Sequence, residues 1–280
     1  MLNKRQQTIL SFITEHGEAK NSQLQELIGD CSSMTLWRDL EKLEEEGKIV
    51  RFRGGAQAAA QREDGQGQEI NFVRRARQNT GEKESIAMIA ADLLLPDQSY
   101  FLDAGSTTFT LLRYLHPGNY NFITSAANIA AELAKHPNYD VTMLGGQLNA
   151  NTLSCSGPQA ERMLQEINID IAVMASSGYS SGSAFTSGRL TEAELKKHVI
   201  RKAFFTIMLL DHSKLLKRHP FTFATLDDVD IVIGDASLPV EFRDACALHG
   251  TQFFSASDGY SPDERIRILQ ELLIKKSHPA

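Results

Sequence analysis

Two stretches of sequence, residues 32–43 (SSMTLWRDLEKL) and residues 47–56 (GKIVRFRGGA), decide how the first part of this chain folds. In the first stretch, leucines recur at helical spacing and Ser32 stands where a helix N-cap belongs. The second stretch mixes charged and apolar residues and closes on two glycines, which predicts a short strand and its turn. We therefore expect a helix that ends at Gly47 and is followed by a β-wing.

Two further helices are predicted upstream, one ending near Gly17 and the other at Gly29. Their apolar faces consist of Ile9, Leu10 and Ile13 in the first helix and of Leu24, Leu27 and Ile28 in the second. Three helices and a hairpin over residues 1–56 predict a winged helix-turn-helix domain. Residues 57–70 are rich in alanine, glutamine, glycine and charge and predict a linker, and residues 71–280 form the second predicted domain.

In the second domain, apolar runs alternate with helical patterns. The runs are 100–102, 122–123, 141–144, 169–174, 204–210, 229–233 and 252–254, and helical patterns include 82–95, 128–136 and 239–248. Continuous apolar strands separated by helices indicate a mostly parallel sheet covered on both faces, an α/β fold of Rossmann-like type. A last helix opens with Ser261, and its apolar stripe either packs on its own domain or adds an interface.

Composition limits the class of protein. The formal net charge is −6, so contact with nucleic acid requires a local basic cluster. No apolar run approaches the roughly 20 residues that cross a bilayer, and no signal-peptide pattern opens the sequence. The three cysteines show no metal-ligand spacing. We expect a cytoplasmic protein with no metal, no cofactor and no membrane partner.

A helix-turn-helix inserts its second helix into the major groove, so the first residues of that helix are short, polar or basic. The candidate DNA-binding residues are Ser32, Ser33, Met34, Thr35, Trp37 and Arg38 on the helix and Arg51 and Arg53 on the wing. Asp39 and Glu41 would repel phosphates, and we expect them to face the body of the domain or cationic neighbours. A protein-interaction module stays open on these residues alone, because the segment carries nearly as many acids as bases.

A second candidate site begins where the run 100–102 ends. Small residues let backbone amides approach an anion, and hydroxyl groups add hydrogen-bond donors. The residues that fit this phosphate cradle are Asp103, Gly105, Ser106, Thr107 and Thr108. A plain strand-to-helix turn is the alternative. The motif is neither GxxxxGK[ST] nor GxGxxG, which argues against a nucleotide cofactor.

Polar residues follow other predicted strands as well, and the ends of parallel strands converge on one crevice. They are Ser125, Asn128, Gly146, Asp211 and Lys214. Glu192 and Lys196 follow a Gly/Ser-rich loop over residues 176–188 and lie four residues apart on one helix face. Taken singly, that pair is a surface ion pair.

The order and spacing of these features resemble the DeoR family of bacterial regulators, in both the helix-and-wing segment and the second domain. The resemblance implies a sensor domain similar in fold to ribose-5-phosphate isomerase, whose effectors are phosphorylated sugars. It also implies roles: phosphate contacts for Gly105, Ser106, Thr107 and Thr108, sugar hydroxyl contacts for Asp103, Glu192 and Asp211, and positive charge from Lys196 and Lys214, with His212 as an additional candidate.

One position departs from the family pattern, which has two arginines before the aspartate where this chain has Trp37 and Arg38. Trp37 either shifts operator preference or packs against the wing. The resemblance implies a repressor of carbohydrate-metabolism genes that a phosphorylated sugar releases from operator DNA, acting as a dimer or tetramer without enzymatic activity. The alternative is a sugar-phosphate isomerase-like enzyme with an appended DNA-binding module.

Overall fold

A computed structural model describes residues 2–29, 31–46, 48–52, 54–58, 72–180 and 184–278. The chain divides into two compact units, Met1–Gln66 and Gly67–Ala280, and each is treated by itself. Most of the predicted linker and the candidate Arg53 lie outside the described residues.

The first unit contains helices and a small antiparallel sheet. In chain order its described elements are α1 (Lys4–His16), β1 (Glu18–Lys20), α2 (Asn21–Ile28), α3 (Ser33–Glu45), β2 (Ile49–Phe52) and β3 (Gly55–Ala58). The strand order is β1-β3-β2. Strand β1 was not predicted, because three residues show too little alternation to reveal a strand. Strand β3 continues two residues past the predicted domain end at residue 56.

The predicted apolar faces of α1, α2 and α3 form the core of this unit, except that Leu27 was wrongly predicted to face inward and is 40% exposed. Ile9, Ile13, Leu24 and Leu43 are fully buried there. The Ser32 side chain accepts a hydrogen bond from the Thr35 amide, as expected of an N-cap. The core fixes which side of α3 faces inward and which side faces solvent.

The second unit alternates strands and helices. Its described elements are α4 (Phe72–Arg77), α5 (Thr80–Asp92), β4 (Ser99–Leu102), α6 (Ser106–Leu111), β5 (Tyr120–Thr124), α7 (Ala127–Leu133), β6 (Tyr139–Met143), β7 (Gln147–Asn149), β8 (Ser154–Ser156), α8 (Pro158–Gln165), β9 (Ile169–Ala175), β10 (Gly178–Ser180), β11 (Ala184–Ser187), α9 (Leu190–Lys202), β12 (Ala203–Leu210), a 3-10 turn (His212–Lys214), β13 (Phe221–Ala224), a 3-10 turn (Leu226–Asp228), β14 (Ile231–Gly234), α10 (Val240–Leu248), β15 (Gln252–Phe254) and α11 (Pro262–Ser277).

The main sheet runs β15-β14-β12-β9-β4-β5-β6, and its pairings are all parallel in the described residues. Each of the seven predicted apolar runs overlaps one of these strands, although the runs 229–233 and 141–144 extend one or two residues beyond β14 and β6. Neighbouring residues of a strand belong to different cores: Tyr100 and Leu102 pack on one face and Phe101 on the other. The predicted α/β fold with a parallel sheet is confirmed.

The segment 176–188, predicted as a Gly/Ser-rich loop, is different in the structure. It contains strands β10 and β11, which pair with each other, and β11 also pairs with β13 in a second, antiparallel sheet of order β10-β11-β13. Strands β7 and β8 form a further hairpin. Glycine and serine dominate the sequence of β10, so hydrophobic alternation gives no signal there.

Helix α11 packs on its own unit. Leu269 is fully buried and Ile266 and Leu273 are partly buried against the same core as Tyr100. The Lys276 ammonium group also donates to both carboxylate oxygens of Asp230 at 2.7 Å. The apolar stripe is therefore used within the unit. Across the described residues, every helix is too short or too polar to span a membrane.

Candidate functional site

Helix α3 presents a polar surface opposite its buried leucines. The exposed residues include Ser32, Ser33, Met34, Trp37 and Arg38, and Thr35 is half-buried. Most of the predicted helix contacts with DNA therefore share one accessible surface. Two of them have a local role too, because the Ser32 hydroxyl lies 2.8 Å from the Thr35 hydroxyl.

Asp39 turns away from this surface, as expected. It is 4% exposed, accepts a hydrogen bond from the Gln6 side-chain amide at 2.9 Å and is ion-paired with Arg5. Burial opposes its ionisation, but the hydrogen bonds from Arg5 and Gln6 outweigh burial and lower the pKa of Asp39. The carboxylate thus ties α3 to α1 and presents no charge to the exposed surface.

The cations of the wing are partly compensated by acids of α3 and the turn after it. Arg51 Nε lies 2.9 Å from Glu44 Oε2, and Lys48 Nζ lies 3.1 Å from Glu46 Oε2. The Arg51 guanidinium also lies 5.1 Å from the centroid of the Trp37 ring. The interpretation that Trp37 packs against the wing therefore matches the structure, and a role in reading DNA is compatible with it.

In the second unit, a crevice opens beyond the carboxyl ends of strands β4, β5 and β9. Four of the predicted effector residues line it together, namely Asp103, Ser125, Glu192 and Lys196. The strand ends place the first two, and the first turns of α9 bring the other two across from them. A parallel sheet gathers such side chains at one edge, which explains why residues so distant in sequence meet.

Lys196 and Asp103 form a buried ion pair at the centre of the crevice. Their side chains are 11% and 4% exposed. Lys196 Nζ also donates to the Ala175 carbonyl at 2.9 Å, and the Ala175 amide donates to Asp103 Oδ2 at 3.0 Å. The surface ion pair between Glu192 and Lys196 considered from the sequence is wrong, because the lysine is bonded to Asp103 and both members are buried.

Glu192 has its own set of donors. Its Oε1 atom accepts hydrogen bonds from Asn149 Nδ2 at 2.7 Å, Thr152 Oγ1 at 2.7 Å and Ser154 Oγ at 3.0 Å. These donors belong to the β7–β8 hairpin, which sequence analysis did not detect. Helix α9 therefore supplies two oppositely charged side chains that are held separately, and a ligand would meet them as distinct groups.

The predicted phosphate cradle forms the start of α6. Gly105 lies at the N-cap, and a side chain there would come within 2.7 Å of the Ala175 Cβ atom. Thr108 is fully buried, and its Oγ1 atom has no hydrogen-bond partner among the described residues. Asn128, near the start of α7, has two buried polar side-chain atoms, Nδ2 and Oδ1, and neither has a hydrogen-bond partner among the described residues. These side chains retain unused hydrogen-bonding capacity.

Asp211 and Lys214 form a second polar cluster, which includes two residues that sequence analysis missed. Asp211 Oδ1 accepts a hydrogen bond from Asn79 Nδ2 at 3.2 Å and another from the Ser213 amide at 3.1 Å. Burial opposes ionisation of Asp211, but Lys214, Ser213, Lys83 and Asn79 together lower its pKa.

Lys83 is 2% exposed and donates to the carbonyls of Arg75 and Gln78. Burial lowers the pKa of Lys83 to about 8, against the opposing influence of Asp211. Lys83 lies in the first turn of α5, and no pattern in the sequence around it indicates that this lysine is buried.

Further lining residues of the crevice were also missed by sequence analysis. They are Arg75, Ser154, Cys155, Ser176 and Ser177 among its polar members. Arg75 brings a second cationic side chain to the crevice beside Lys196. Gly146, a predicted effector residue, is not among the described residues that line the crevice; a side chain there would lie 2.6 Å from the Ser156 carbonyl oxygen, so close backbone packing explains the glycine.

Comparison with known protein families gives one match to each of the two units of the chain. The DeoR-like helix-turn-helix domain matches residues 5–62 and the DeoR C-terminal sensor domain matches residues 78–236. The chain is 32% identical over 238 residues to the uncharacterised HTH-type transcriptional regulator YulB of Bacillus subtilis, covering 85% of this chain and 90% of the relative. It is 30% identical to the HTH-type transcriptional regulator GolR of Listeria innocua, covering 86% and 95%.

Among solved structures, ribose 5-phosphate isomerase A of Methanocaldococcus jannaschii overlaps with a TM-score of 0.38 and 18% identity, over 50% of this chain and 56% of that one. The family matches cover both the unit that carries α3 and its wing and the unit that carries the crevice. The chain belongs to the DeoR family and is a DNA-binding transcriptional regulator.

Proposed function

We propose that this regulator is a repressor of carbohydrate-metabolism genes and that a phosphorylated sugar, bound in the crevice of the second unit, releases it from operator DNA. One observation carries the proposal: two cationic side chains, Arg75 and Lys196, share the crevice with the carboxylates of Asp103 and Glu192. Cations suit a phosphate group, and carboxylates accept hydrogen bonds from sugar hydroxyls.

The phosphate end of the ligand is assigned to Arg75, Lys196 and the backbone amides at the start of α6. Lys196 already donates to Asp103 and Ala175, so a phosphate oxygen would share an ammonium group that the protein holds in place. A preordered cation loses little conformational entropy when the ligand binds. Gly105 and Thr108 contribute the close approach and the hydroxyl group that the sequence predicts for a cradle.

The sugar end is assigned to the carboxylates that line the crevice and to the side-chain amide of Asn128 at the start of α7. Asp103, Glu192 and Asn128 offer acceptors, and the amide of Asn128 also offers donors. Asp211 and Lys214 would act from their cluster with Lys83, whose ammonium group donates to the backbone carbonyl of the crevice residue Arg75. A ligand with one dianionic end and several hydroxyl groups would use both kinds of residue.

On the DNA side, the exposed surface of α3 and the wing would contact the operator. Among the candidates on this surface, Arg38 is a cation that has no ion-pair partner among the described residues, and we assign it a phosphate contact. Reading two half-sites about one helical turn apart requires two copies, so we infer a homo-oligomer, which would act in the cytoplasm.

Ligand binding can be tested by calorimetry on the full chain, with a panel of hexose and pentose phosphates and the same sugars without phosphate. We expect binding of at least one phosphorylated sugar and at least tenfold weaker binding of its unphosphorylated form. Arg75→Met should remove most of that difference. Arg77→Met is the matched control on the same helix, because Arg77 is exposed and does not line the described crevice. Equal binding of both sugar forms would contradict the phosphate assignment.

We also infer that the ligand is an effector and not a substrate. The support is the family to which the chain belongs, whose profiles match a DNA-binding domain and a sensor domain. The test is incubation of the full chain with the same sugar phosphates, followed by detection of aldose–ketose conversion. Turnover that the variant Glu192→Gln abolishes would overturn this inference and favour the isomerase-like alternative.

A further inference from the structure

Trp37, Arg51 and Glu44 form a connected arrangement on the first unit. Glu44 holds Arg51 twice, because its Oε1 accepts from the Arg51 amide and its Oε2 accepts from Arg51 Nε, both at 2.9 Å. The guanidinium group of Arg51 in turn lies 5.1 Å from the centroid of the Trp37 ring. The Glu44 carboxylate therefore holds the Arg51 guanidinium in place, and the guanidinium packs against one face of the Trp37 indole.

This arrangement changes what Arg51 can do. Its positive charge is compensated by Glu44, and its position is set by the two hydrogen bonds that Arg51 donates to that carboxylate. A cation held in this way offers less attraction to a phosphate than an unpaired one. Arg51 is better placed to orient Trp37 than to bind DNA by itself.

Trp37 remains accessible despite this contact. It is 48% exposed, and the other large apolar side chains on the described surface of α3 and the wing are Met34, 60% exposed, and Phe52, 42% exposed. Trp37 and Phe52 line the same groove between α3 and the wing. Exposed apolar side chains that share one groove are typical of a binding surface, and on a surface that enters a DNA groove an apolar group of the DNA would be their natural partner.

The major groove offers one apolar group, the 5-methyl group of thymine. An indole cannot make the two hydrogen bonds by which arginine selects guanine, but it can pack against that methyl group. We propose that Trp37 is a specificity-determining residue that reads a thymine methyl group in each half-site, with Glu44 and Arg51 as positioning residues. The proposal rests on the DNA-binding function of the chain and adds its base preference.

The test begins with selection of DNA by the full chain from a randomised library. Each preferred thymine is then replaced by deoxyuridine, which removes only the methyl group. We expect about a fourfold loss of affinity at one position of each half-site, the effect of one buried methyl group. The variant Trp37→Ala should lose affinity for the thymine operator and show no further loss with deoxyuridine.

The possible outcomes distinguish a failure of DNA binding from a failure of thymine recognition by Trp37. Failure to select any DNA would overturn the DNA-binding function and the inference together. Selection of DNA with no deoxyuridine effect, or with the same effect in Trp37→Ala, would overturn the inference alone. Thermal unfolding of the variant checks its fold, which an exposed side chain should affect little.

Two further variants test the roles of the neighbouring residues. Trp37→Arg should move the selected base from thymine to guanine, and an unchanged selection would contradict the proposal. Glu44→Gln should reduce the preference for thymine over deoxyuridine while binding to non-specific DNA stays equal or rises. If the preference is unchanged, Glu44 is not a positioning residue. The chain has a single tryptophan, so its fluorescence on DNA binding reports Trp37 directly.

Discussion

The buried ion pair between Lys196 and Asp103 makes a quantitative prediction about stability. Replacing Lys196 by methionine leaves a carboxylate that is 4% exposed, with the Ala175 amide as a remaining donor. Breaking a buried pair from one side costs about 3–5 kcal/mol, because the other charge stays buried without compensation. We therefore expect Lys196→Met to lower the free energy of unfolding by about 3 kcal/mol or more.

A double-mutant cycle separates the pair from its surroundings. Asp103→Asn removes the negative charge and should also destabilise the protein, since the ammonium group of Lys196 then lacks its counterion. The combination of both changes leaves no unpaired charge, so it should cost at least about 1–2 kcal/mol less than the sum of the single changes. Additive losses would refute the buried ion pair.

Urea unfolding followed by circular dichroism measures these free energies, and tryptophan fluorescence adds a local reference. Trp37 lies in the first unit, so its fluorescence reports the unfolding of that unit, whereas circular dichroism reports the whole chain. Lys197→Met is the matched control. Lys197 pairs with Glu194 on the surface of the same helix, and loss of such a pair costs less than about 1 kcal/mol.

Three other perturbations have defined outcomes. Asp39→Asn should flatten the acid dependence of the fluorescence melting temperature, because the lowered pKa of Asp39 gives stability that is present above about pH 4 and lost as pH falls through the folded-state value. In the folded chain Lys83 has a pKa of about 8, so between pH 8 and pH 10.5 it has released a proton that the unfolded chain still binds, and stability rises with pH. Lys83→Met should remove this rise, which thermal melts over the same pH range measure. Gly146→Ala should lower the melting temperature clearly more than Gly145→Ala, because its backbone φ is 129° and the Ser156 carbonyl lies 2.6 Å from the added carbon, whereas no described atom lies within 4 Å at Gly145. Equal melting temperatures for the two alanine variants would contradict the close approach.

Much of the fold was predictable because buried parallel strands read as continuous apolar runs. Residues 204–210 and 169–174 are such runs, and they became the central strands β12 and β9. Strands β10 and β11 escaped prediction because they are short, and one of them is mostly glycine and serine. Strand β11 also pairs with β13, which lies more than 30 residues further along the chain.

The sequence allowed us to predict which residues meet at the strand ends. It did not allow us to predict their hydrogen-bond and ion-pair partners. Asp103 and Ser125 follow apolar runs, so the convergence of strand ends predicted that they meet. Helical spacing placed Glu192 and Lys196 on one face but carried no information about what lies opposite. Asp103 forms an ion pair with Lys196, and side chains of the hairpin formed by β7 and β8 donate hydrogen bonds to Glu192. Such pairings depend on tertiary structure.

Ligand control of DNA binding is the central claim, and one titration tests it directly. Fluorescence anisotropy of a labelled operator, selected by the full chain, gives the Kd for DNA with and without a saturating phosphorylated sugar. We predict that the sugar raises this Kd at least about fivefold and that operator DNA raises the Kd for the sugar by the same factor. A phosphorylated sugar that binds in the crevice and leaves the Kd for operator DNA unchanged would contradict the account.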